Sequence, residues 1–279
     1  PQTTPALSEK KFLNQLFLSR GLSVTALNNY LLCPWRFFFD NLVRVPRMPS
    51  KFQNYGIAVH VALSRYIELL LKGERPKRGV VVEIFSRQLE RLPLSRSDRA
   101  ELARKGKRAL SGFVTARKKE LADILATEET ISFIAELSYK EKTVELRCKG
   151  VLDAVRIIAE NKVEVIDFKT GKARSRNEIE GKTKNSAGDY KRQLVFYKLL
   201  LDKQRAYPYR FERGVIQFVE PDQKNRFREE VFSIDEKEVG ELYTQIEGVA
   251  VEILDLAFWD KRCPDKKCPY SGLRDLMKD

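Results

Sequence analysis

Three runs of β-branched and alternating residues follow one another in the middle of the chain, and they constrain its fold more than any other feature. They cover residues 131–137, 144–158 and 163–168, and their composition is typical of strands. The polar pairs Glu141-Lys142 and Glu160-Asn161 separate the runs. We therefore expect an antiparallel meander with two tight turns.

Segments with helical periodicity lie on both sides of this meander. Before it, the pattern predicts a helix from Val24 that Pro34 disturbs, a helix from Ile57 to Lys72, and two or three helices within residues 80–126. After it come a long polar loop over residues 170–186, a helix over 187–203, strands near 210–219 and 227–233, and a helix over 236–258. This order indicates an α/β or α+β fold, and residues 1–20 have the pattern of a linker or docking arm.

The chain is basic, because 52 Lys and Arg residues exceed 39 Asp and Glu residues, a formal charge of +13. Such a surplus favours a polyanionic partner, although nucleic acid, an anionic membrane surface and simple solubility all remain open. No run approaches the ~20 consecutive apolar residues of a membrane span, and no secretory leader opens the chain. We therefore expect a cytoplasmic protein without a membrane partner.

Two aspartates stand in the strand-like runs. Asp153 lies within an apolar run, and Asp167 ends the next run with Lys169 two positions later. If the runs pair about the turn at residue 160, the two carboxylates face each other, and they would repel unless a cation lies between them. Oxygen ligands of this kind suit Mg²⁺ or Mn²⁺ better than zinc, and Lys169 on the same strand face as Asp167 could orient a water. The alternative is a pair of exposed edge-strand carboxylates with a solvated lysine.

Three other polar side chains give weaker signals. His60 is the only histidine and lies on a predicted helix, where a lone histidine is more often a packing residue than a ligand. Gln193 and Tyr197 are four residues apart on a later helix and so project from one face. Neither pattern alone indicates a site.

Taken together and in this order, the residues resemble the PD-(D/E)XK nuclease superfamily and, within it, the RecB-like branch. That branch includes the nuclease domains of RecB, AddA and AddB and the CRISPR-associated RecB-like exonucleases. The resemblance extends from about Leu22 to Tyr270, and five segments carry it: Leu22 to Phe37, Gly56 to His60, Gly150 to Asp153, Asp167 to Lys169, and Gln193 to Tyr197.

The resemblance implies a restriction-endonuclease-like core, in which helices flank a central mixed sheet. Residues 21–279 would form the RecB-like nuclease domain, with a helical insertion at about 74–128 and a cysteine-bearing tail at 259–279. Residues 1–20 would stay outside this domain.

The resemblance also implies the roles of the site residues and the reaction. His60, Asp153, Asp167 and the backbone carbonyl of Phe168 would bind Mg²⁺ or Mn²⁺. Lys169 would position and activate water, while Gln193 and Tyr197 would support Lys169 and the scissile strand. The expected reaction is hydrolysis of phosphodiester bonds in DNA, with exonuclease action favoured over endonuclease action.

Basic residues follow the predicted site directly. We expect the cations of this loop to contact the phosphate backbone of DNA, and the loop to move or order on binding. These cations are Lys172, Arg174, Arg176, Lys182 and Lys184. A solvated, flexible loop is an equally good interpretation. The further cations at residues 104–108 and 117–119 are interpreted as a solvated helix face.

The four cysteines bear on a second cofactor. Many nucleases of the RecB-like branch hold a [4Fe–4S] cluster with one cysteine near the N-terminus and three near the C-terminus. Cys33 and Cys268 match that pattern, but Asp265 and Arg274 occupy the two other positions. Cys263 could substitute for one of them, and Cys148 is expected to be buried in a strand. We therefore expect no intact cluster, and a remnant formed by Cys33, Cys263 and Cys268.

The resemblance favours the C-terminal nuclease domain of a helicase–nuclease that acts in double-strand-break processing and recombinational repair. Its partners would be single- or double-stranded DNA ends and a helicase motor. No Gly-x-x-x-x-Gly-Lys-Ser/Thr motif occurs here, so that motor would lie elsewhere on the same polypeptide or on a partner chain. A stand-alone CRISPR-type exonuclease and a catalytically silent DNA-binding scaffold are the alternatives.

Overall fold

The computed structural model describes residues 7–263, 265 and 268–276. The α-helices are α1 Leu7–Arg20, α2 Val24–Leu32, α3 Pro34–Phe37, α4 Lys51–Leu71, α5 Arg78–Glu90, α6 Arg96–Ala116, α7 Lys118–Ala122, α8 Arg176–Ile179, α9 Asp189–Lys203, α10 Glu236–Asp255 and α11 Pro269–Leu276. A short π-helix, Phe38–Leu42, follows α3. The strands are β1 Leu22–Ser23, β2 Ile124–Tyr139, β3 Lys142–Ala159, β4 Lys162–Lys169, β5 Arg210–Phe218 and β6 Glu229–Phe232.

The chain divides into two compact units. The first contains the described parts of residues 1–46, 131–150 and 235–279, and the second contains residues 47–130 and 151–234. No helix in the described part of the chain is both long and apolar enough to span a membrane.

The first unit has an aromatic core around Trp35. The ring centroids of Phe38, Phe258 and Trp259 lie 5.1 to 5.6 Å from that of Trp35. The Trp35 indole N–H donates to the carbonyl of Lys261 at 2.8 Å, which satisfies its polar atom inside the core. Both ends of the chain thus contribute to one buried cluster.

Residues 7–20, part of the segment interpreted as a linker or docking arm, form helix α1. Leu13 and Phe17 lie four residues apart on one face of α1, and both are buried in the first unit. These two buried side chains pack α1 within the first unit. The assignment of residues 21–279 to one nuclease domain stays a prediction.

The sheet of the second unit has the order β3–β4–β5–β6. Strand β4 is antiparallel to β3 and parallel to β5, and β6 is antiparallel to β5. Residues of α4, α5 and α6 share a hydrophobic core with Ile166 and Phe168 of β4, whereas α9 packs on β5 at Gly214. This arrangement confirms the predicted central mixed sheet with flanking helices.

The turns and loops of the second unit refine the sequence-based expectations. The turn after β3 lies at Glu160 and Asn161, as predicted. Residues 170–186, expected to be a polar loop, contain helix α8, because Ser175 and Glu178 form a capping box and Ile179 is buried beneath it. The region expected to hold two or three helices contains α5, α6 and α7.

Candidate metal and catalytic site

The β3–β4 hairpin brings the two aspartates to neighbouring strands of the second unit. Ala154 pairs with Ile166, so Asp153 and Asp167 occupy the next position along the ladder. The Phe168 N–H donates to Asp153 Oδ2 at 2.8 Å. Because Ile166 and Phe168 face the core formed with α4 to α6, the Asp167 side chain emerges from the opposite face.

Asp167 is a buried carboxylate, with 1% of its surface exposed. Its Oδ2 lies 2.8 Å from Lys169 Nζ, and its Oδ1 accepts a hydrogen bond from the Tyr197 hydroxyl at 3.2 Å. Burial raises the pKa of Asp167, the positive charge of Lys169 opposes that change, and the charge of Asp153 adds to it, so the pKa stays above its ordinary value. A cation beside Asp167 would relieve this electrostatic cost.

Lys169 belongs to a closed ring of polar contacts. Its Nζ donates to Gln193 Oε1 at 2.7 Å, and Gln193 Nε2 donates to the Tyr197 hydroxyl at 2.5 Å. The Tyr197 hydroxyl donates to Asp167, and the ion pair of Asp167 with Lys169 closes the ring. Burial alone would lower the pKa of Lys169, but the nearby Asp167 and Asp153 carboxylates raise it, so the ammonium keeps its charge.

Helix α9 supplies the Gln193 and Tyr197 side chains of this ring. It begins after Gly188, whose φ of +65° lies in the left-handed region that glycine adopts without strain. Gln193 and Tyr197 follow at a spacing of four residues and project from one face of α9. Burial raises the pKa of Tyr197 well above its ordinary value, so its hydroxyl keeps the proton that it donates to Asp167.

His60 approaches the aspartates from helix α4. The neighbouring residues Ala58, Val59, Ala62 and Leu63 are fully buried and hold α4 against the core of the second unit. His60 Nδ1 lies 3.4 Å from Asp153 Oδ2. Burial would lower the pKa of His60, but the charges of Asp153 and Asp167 outweigh it and raise the pKa to about 9.

Glu128 is a member of this cluster that the sequence reasoning missed. Ligand atoms of His60, Glu128 and Asp153 all lie within 4.8 Å of one another. Glu128 lies on β2 with a φ of +52°, a conformation that is rare for a residue other than glycine. Burial and the charge of Asp153 raise its pKa. The only sequence signal is a pair of acidic residues shortly before the first β-rich run, which no motif distinguishes.

The donor set fits a divalent cation. An imidazole and three carboxylates converge on one region of the second unit, where burial, with a smaller contribution from the charge of Asp153, raises the pKa of Asp167 and of Glu128. Carboxylate oxygens suit Mg²⁺ and Mn²⁺, and an imidazole ligand moves the preference towards the transition metal.

Some of the basic residues after Lys169 are already paired with acidic side chains, which makes them less available to bind DNA than the sequence suggested. Arg174 pairs with Asp189 at 3.1 Å, Arg176 pairs with Glu180 at 3.3 Å, and Lys182 also pairs with Glu180. Lys172 and Lys184 are exposed, and neither makes a salt bridge with the described residues. The proposed contact of these five cations with DNA stays a prediction.

Three of the four cysteines converge in the first unit. The sulfur atoms of Cys33, Cys263 and Cys268 lie within 4.8 Å of one another, with 3.8 Å between Cys268 and Cys33. Cys148 is buried in β3 outside this group. Three thiols do not make the complete set of four that a cubane cluster requires.

Arg274 occupies one of the positions at which the resemblance to the RecB-like branch predicts a cysteine. Its side chain is buried, with Nε and Nη2 directed at the carbonyls of Trp259 and Asp260 at 3.5 and 3.4 Å. The guanidinium carbon lies 5.6 Å from the ring centroid of Trp35. The tail thus joins the aromatic core of the first unit through contacts made by the polypeptide itself.

A solved structure resembles this chain in fold at low sequence identity. None of the curated proteins matches the chain. Among solved structures, a "putative exonuclease" from Eubacterium rectale superposes with a TM-score of 0.57 over 97% of this chain and 93% of that chain, at 9% identity. A second structure, SSO0001, gives a TM-score of 0.33 at 17% identity over 96% and 98% of the two chains.

The sequence model of one family matches residues 21–273, nearly the whole chain. That family is described as the PD-(D/E)XK nuclease superfamily. The match includes both aspartates, the lysine and the helix that carries Gln193 and Tyr197. The chain therefore belongs to the PD-(D/E)XK nuclease superfamily.

Proposed function

We propose that this protein is a metal-dependent deoxyribonuclease of the RecB-like branch that hydrolyses phosphodiester bonds. One observation carries the proposal: Asp167, Lys169, Gln193 and Tyr197 form a closed polar ring, and His60 and Asp153 lie beside it. A scaffold that only bound DNA would not need a half-buried lysine and a buried aspartate held in this way.

The metal in this proposal is Mg²⁺ or Mn²⁺. His60, Asp153, Asp167 and the Phe168 carbonyl would hold it, and Glu128 adds a further carboxylate within reach. When bound, such a cation polarises a phosphoryl oxygen and lowers the pKa of a coordinated water.

The residues of the ring have separate tasks. The Lys169 ammonium stays protonated and offers its charge to the water and to the negative charge that develops on the phosphate. Gln193 holds Lys169 by its amide oxygen, and Tyr197 fixes the orientation of Asp167. These contacts place Lys169 and Asp167 in position before substrate arrives, so little reorganisation is needed during the reaction.

We infer that the substrate is a DNA end and that the action is exonucleolytic. The name of the Eubacterium rectale protein, whose fold is similar, supports this choice. The cellular role that we propose is double-strand-break processing and recombinational repair in the cytoplasm, with a helicase motor on the same polypeptide or on a partner chain. A stand-alone CRISPR-type exonuclease is the alternative.

The test is a cleavage assay on linear and circular DNA, single- and double-stranded, with Mg²⁺, Mn²⁺ or EDTA. The wild type is compared with Asp167→Ala, with Lys169→Ala, and with Lys162→Ala as a matched control. Lys162 is an exposed lysine at the other end of β4 that pairs with Glu212. We expect metal-dependent loss of linear DNA by the wild type and the control, a fall in kcat of about 10²-fold or more for Lys169→Ala, and no activity for Asp167→Ala.

If the wild type cleaves no substrate with either metal, the assay is repeated with the proposed helicase motor present. Failure to cleave in both assays would refute the proposed nuclease activity. Cleavage that neither site substitution reduces would refute the site. Rapid cutting of circular DNA, which has no ends, would show that the protein acts as an endonuclease and not as an exonuclease. Melting temperatures of all variants check that each one folds.

A further inference from the structure

A basic groove of about 850 Å³ lies in the second unit. Six cationic side chains line it: Arg78, Arg104, Lys107, Arg108, Arg117 and Arg226. Phe227 is the aromatic residue of its wall. The sequence pattern favoured a solvated helix face for part of this set, whereas in the structure the cations surround one concave surface.

Helix α6 provides one wall of the groove. Arg104, Lys107 and Arg108 are spaced three and four residues apart and so lie on one face of α6. The opposite face of α6 is fixed in the core by Leu110 and Phe113, which are fully buried. The groove therefore presents its charges from a rigid element.

Four of the six cations in the groove have no partner among the residues that the structure describes. Arg117 pairs with Glu120 and Glu229, and Arg226 pairs with Asp222. The other four, by contrast, make no side-chain hydrogen bond or ion pair with any described residue; these are Arg78, Arg104, Lys107 and Arg108. Like charges in a concave surface repel one another and raise the local concentration of anions. A polyanion in the groove would satisfy them.

Phe227 is held in the wall by close packing on α6. A Cβ atom at Gly112 would lie 2.8 Å from the Phe227 ring, so only glycine at this position lets the ring approach so closely. The Phe113 ring meets it edge-on at 5.7 Å, and Arg117 Nη2 donates to the Phe227 carbonyl at 3.1 Å. The ring remains partly exposed to the groove. An aromatic ring among cations is typical of surfaces that bind single-stranded nucleic acid.

Two contacts within the second unit connect α6 to the candidate site. Lys105 Nζ lies 2.9 Å from Glu220, and the same carboxylate accepts the N–H of Gly171 at 2.7 Å. The Phe113 ring meets the ring of Phe168 at 5.8 Å, on the strand that carries Asp167 and Lys169. The helix that lines the groove is therefore attached to both the end and the interior of the site strand.

We propose that this groove binds the phosphodiester backbone of single-stranded DNA and holds the strand whose end reaches the metal site. The inference rests on the proposed function, because it names a substrate subsite of that nuclease. The groove has the volume of a site for a small ligand, which suits a short stretch of single strand. The cations bind phosphates without regard to sequence, and Phe227 offers a face to an unpaired base.

The test uses a triple variant, Arg104→Gln, Lys107→Gln and Arg108→Gln. A second triple variant is the matched control: Arg87→Gln, Arg91→Gln and Arg96→Gln. It removes the same charge from exposed positions of the same helical region that line no part of the groove. Binding of fluorescein-labelled oligothymidylate and of a labelled hairpin duplex is followed by anisotropy with EDTA present, over a range of KCl concentrations.

We expect the groove variant to bind oligothymidylate at least tenfold more weakly than the wild type. Each phosphate contact to a single strand contributes about 0.7 to the slope of log K against log salt, so the loss of three contacts lowers the slope by about 2. The control should keep the affinity and the slope of the wild type. A third variant, Arg104→Lys with Arg108→Lys, should retain binding because it keeps the charge.

Equal losses in the groove variant and the control would overturn the proposal, because net charge alone would then explain them. The proposal would also be overturned if the groove variant lost affinity for the hairpin duplex alone. The same holds if calorimetry shows that the groove binds inorganic phosphate while the protein does not bind oligothymidylate.

Cleavage separates this inference from the proposed function. If the wild type cleaves DNA, the groove variant should have a raised KM and an unchanged kcat. If the wild type cleaves DNA and the groove variant binds oligothymidylate normally, the proposed role of the groove is refuted and the nuclease activity is not. If the wild type binds oligothymidylate through the groove but never cleaves it, the proposed nuclease activity is refuted and the binding role of the groove is not.

Discussion

At the scale of single residues, the candidate site sets burial against charge. Asp167 and Lys169 are both largely withdrawn from water, and each offsets the cost of burying the other. Removing one partner of such a pair leaves an uncompensated buried charge, which costs more than the pair contributes. Substitutions of Asp167 and Lys169 therefore have to be interpreted with a measurement of folding beside the measurement of activity.

Glu128 gives a prediction that depends on one carboxylate. The variant Glu128→Gln should bind Mn²⁺ about 10- to 100-fold more weakly, since it removes a negative charge next to His60 and Asp153. Glu129→Gln is the control, because Glu129 is the next residue of the same strand and lies outside the cluster. Isothermal titration calorimetry measures both. Equal affinities for Glu128→Gln and the wild type would exclude Glu128 from the metal site.

Residue patterns predicted much of the site. The motifs named His60, Asp153, Asp167, Lys169, Gln193 and Tyr197, and the structure brings these six side chains together. Their catalytic and ligand roles stay predictions. Glu128 could not be found in this way, because its approach depends on the pairing of β2 with β3 and on a left-handed backbone at that residue.

At the scale of elements, helix α6 is placed by a glycine in its interior. A Cβ atom at Gly106 would lie 2.2 Å from the ring of Phe85, which is fully buried on α5. Glycine within a helix costs about 1 kcal/mol relative to alanine, and here the absence of a side chain lets α5 and α6 pack closely.

We expect Gly106→Val to lower the free energy of unfolding by about 1–3 kcal/mol, the usual cost of overpacking a core. Gly248→Ala is the contrasting control, because it lies within α10 with no atom near its added methyl group. It should raise the free energy of unfolding by about 0.5–1 kcal/mol. Urea denaturation measures both, and a stabilised Gly106→Val would contradict the packing argument.

Elements with strong periodicity were predicted from the sequence, and those set by local contacts were not. The three β-rich runs and α9 correspond to observed elements within a few residues at most ends. Strand β2 is the exception, because it begins at Ile124, several residues before the apolar run from 131. Helix α8 was missed because a capping box and one buried side chain, Ile179, fold it within a polar segment.

At the scale of the whole molecule, the formal charge of +13 includes cations that are paired with acidic side chains and cations that are not. The cations that follow the site strand are mostly engaged by acidic neighbours, whereas four of those in the groove are without partners among the described residues. Sequence proximity to Lys169 favoured the loop over the groove, because composition does not indicate which charges are already neutralised.

The cysteines give a prediction for the purified protein. With three converging thiols and an arginine in place of a fourth ligand, we expect a colourless protein without bound iron, even when it is purified anaerobically. Metal analysis and the visible absorption spectrum are the measurements, and Cys148→Ser serves as a control outside the thiol group. A brown protein with stoichiometric iron would overturn this expectation.

Arg274 fastens the C-terminal tail through a guanidinium that is directed at two backbone carbonyls and lies 5.6 Å from the ring centroid of Trp35. These atoms are present as soon as the chain is synthesised, and neither oxidants nor chelators remove them. A tail fastened in this way would mature at the same rate in iron-starved and iron-replete cells, without help from any cofactor-assembly system.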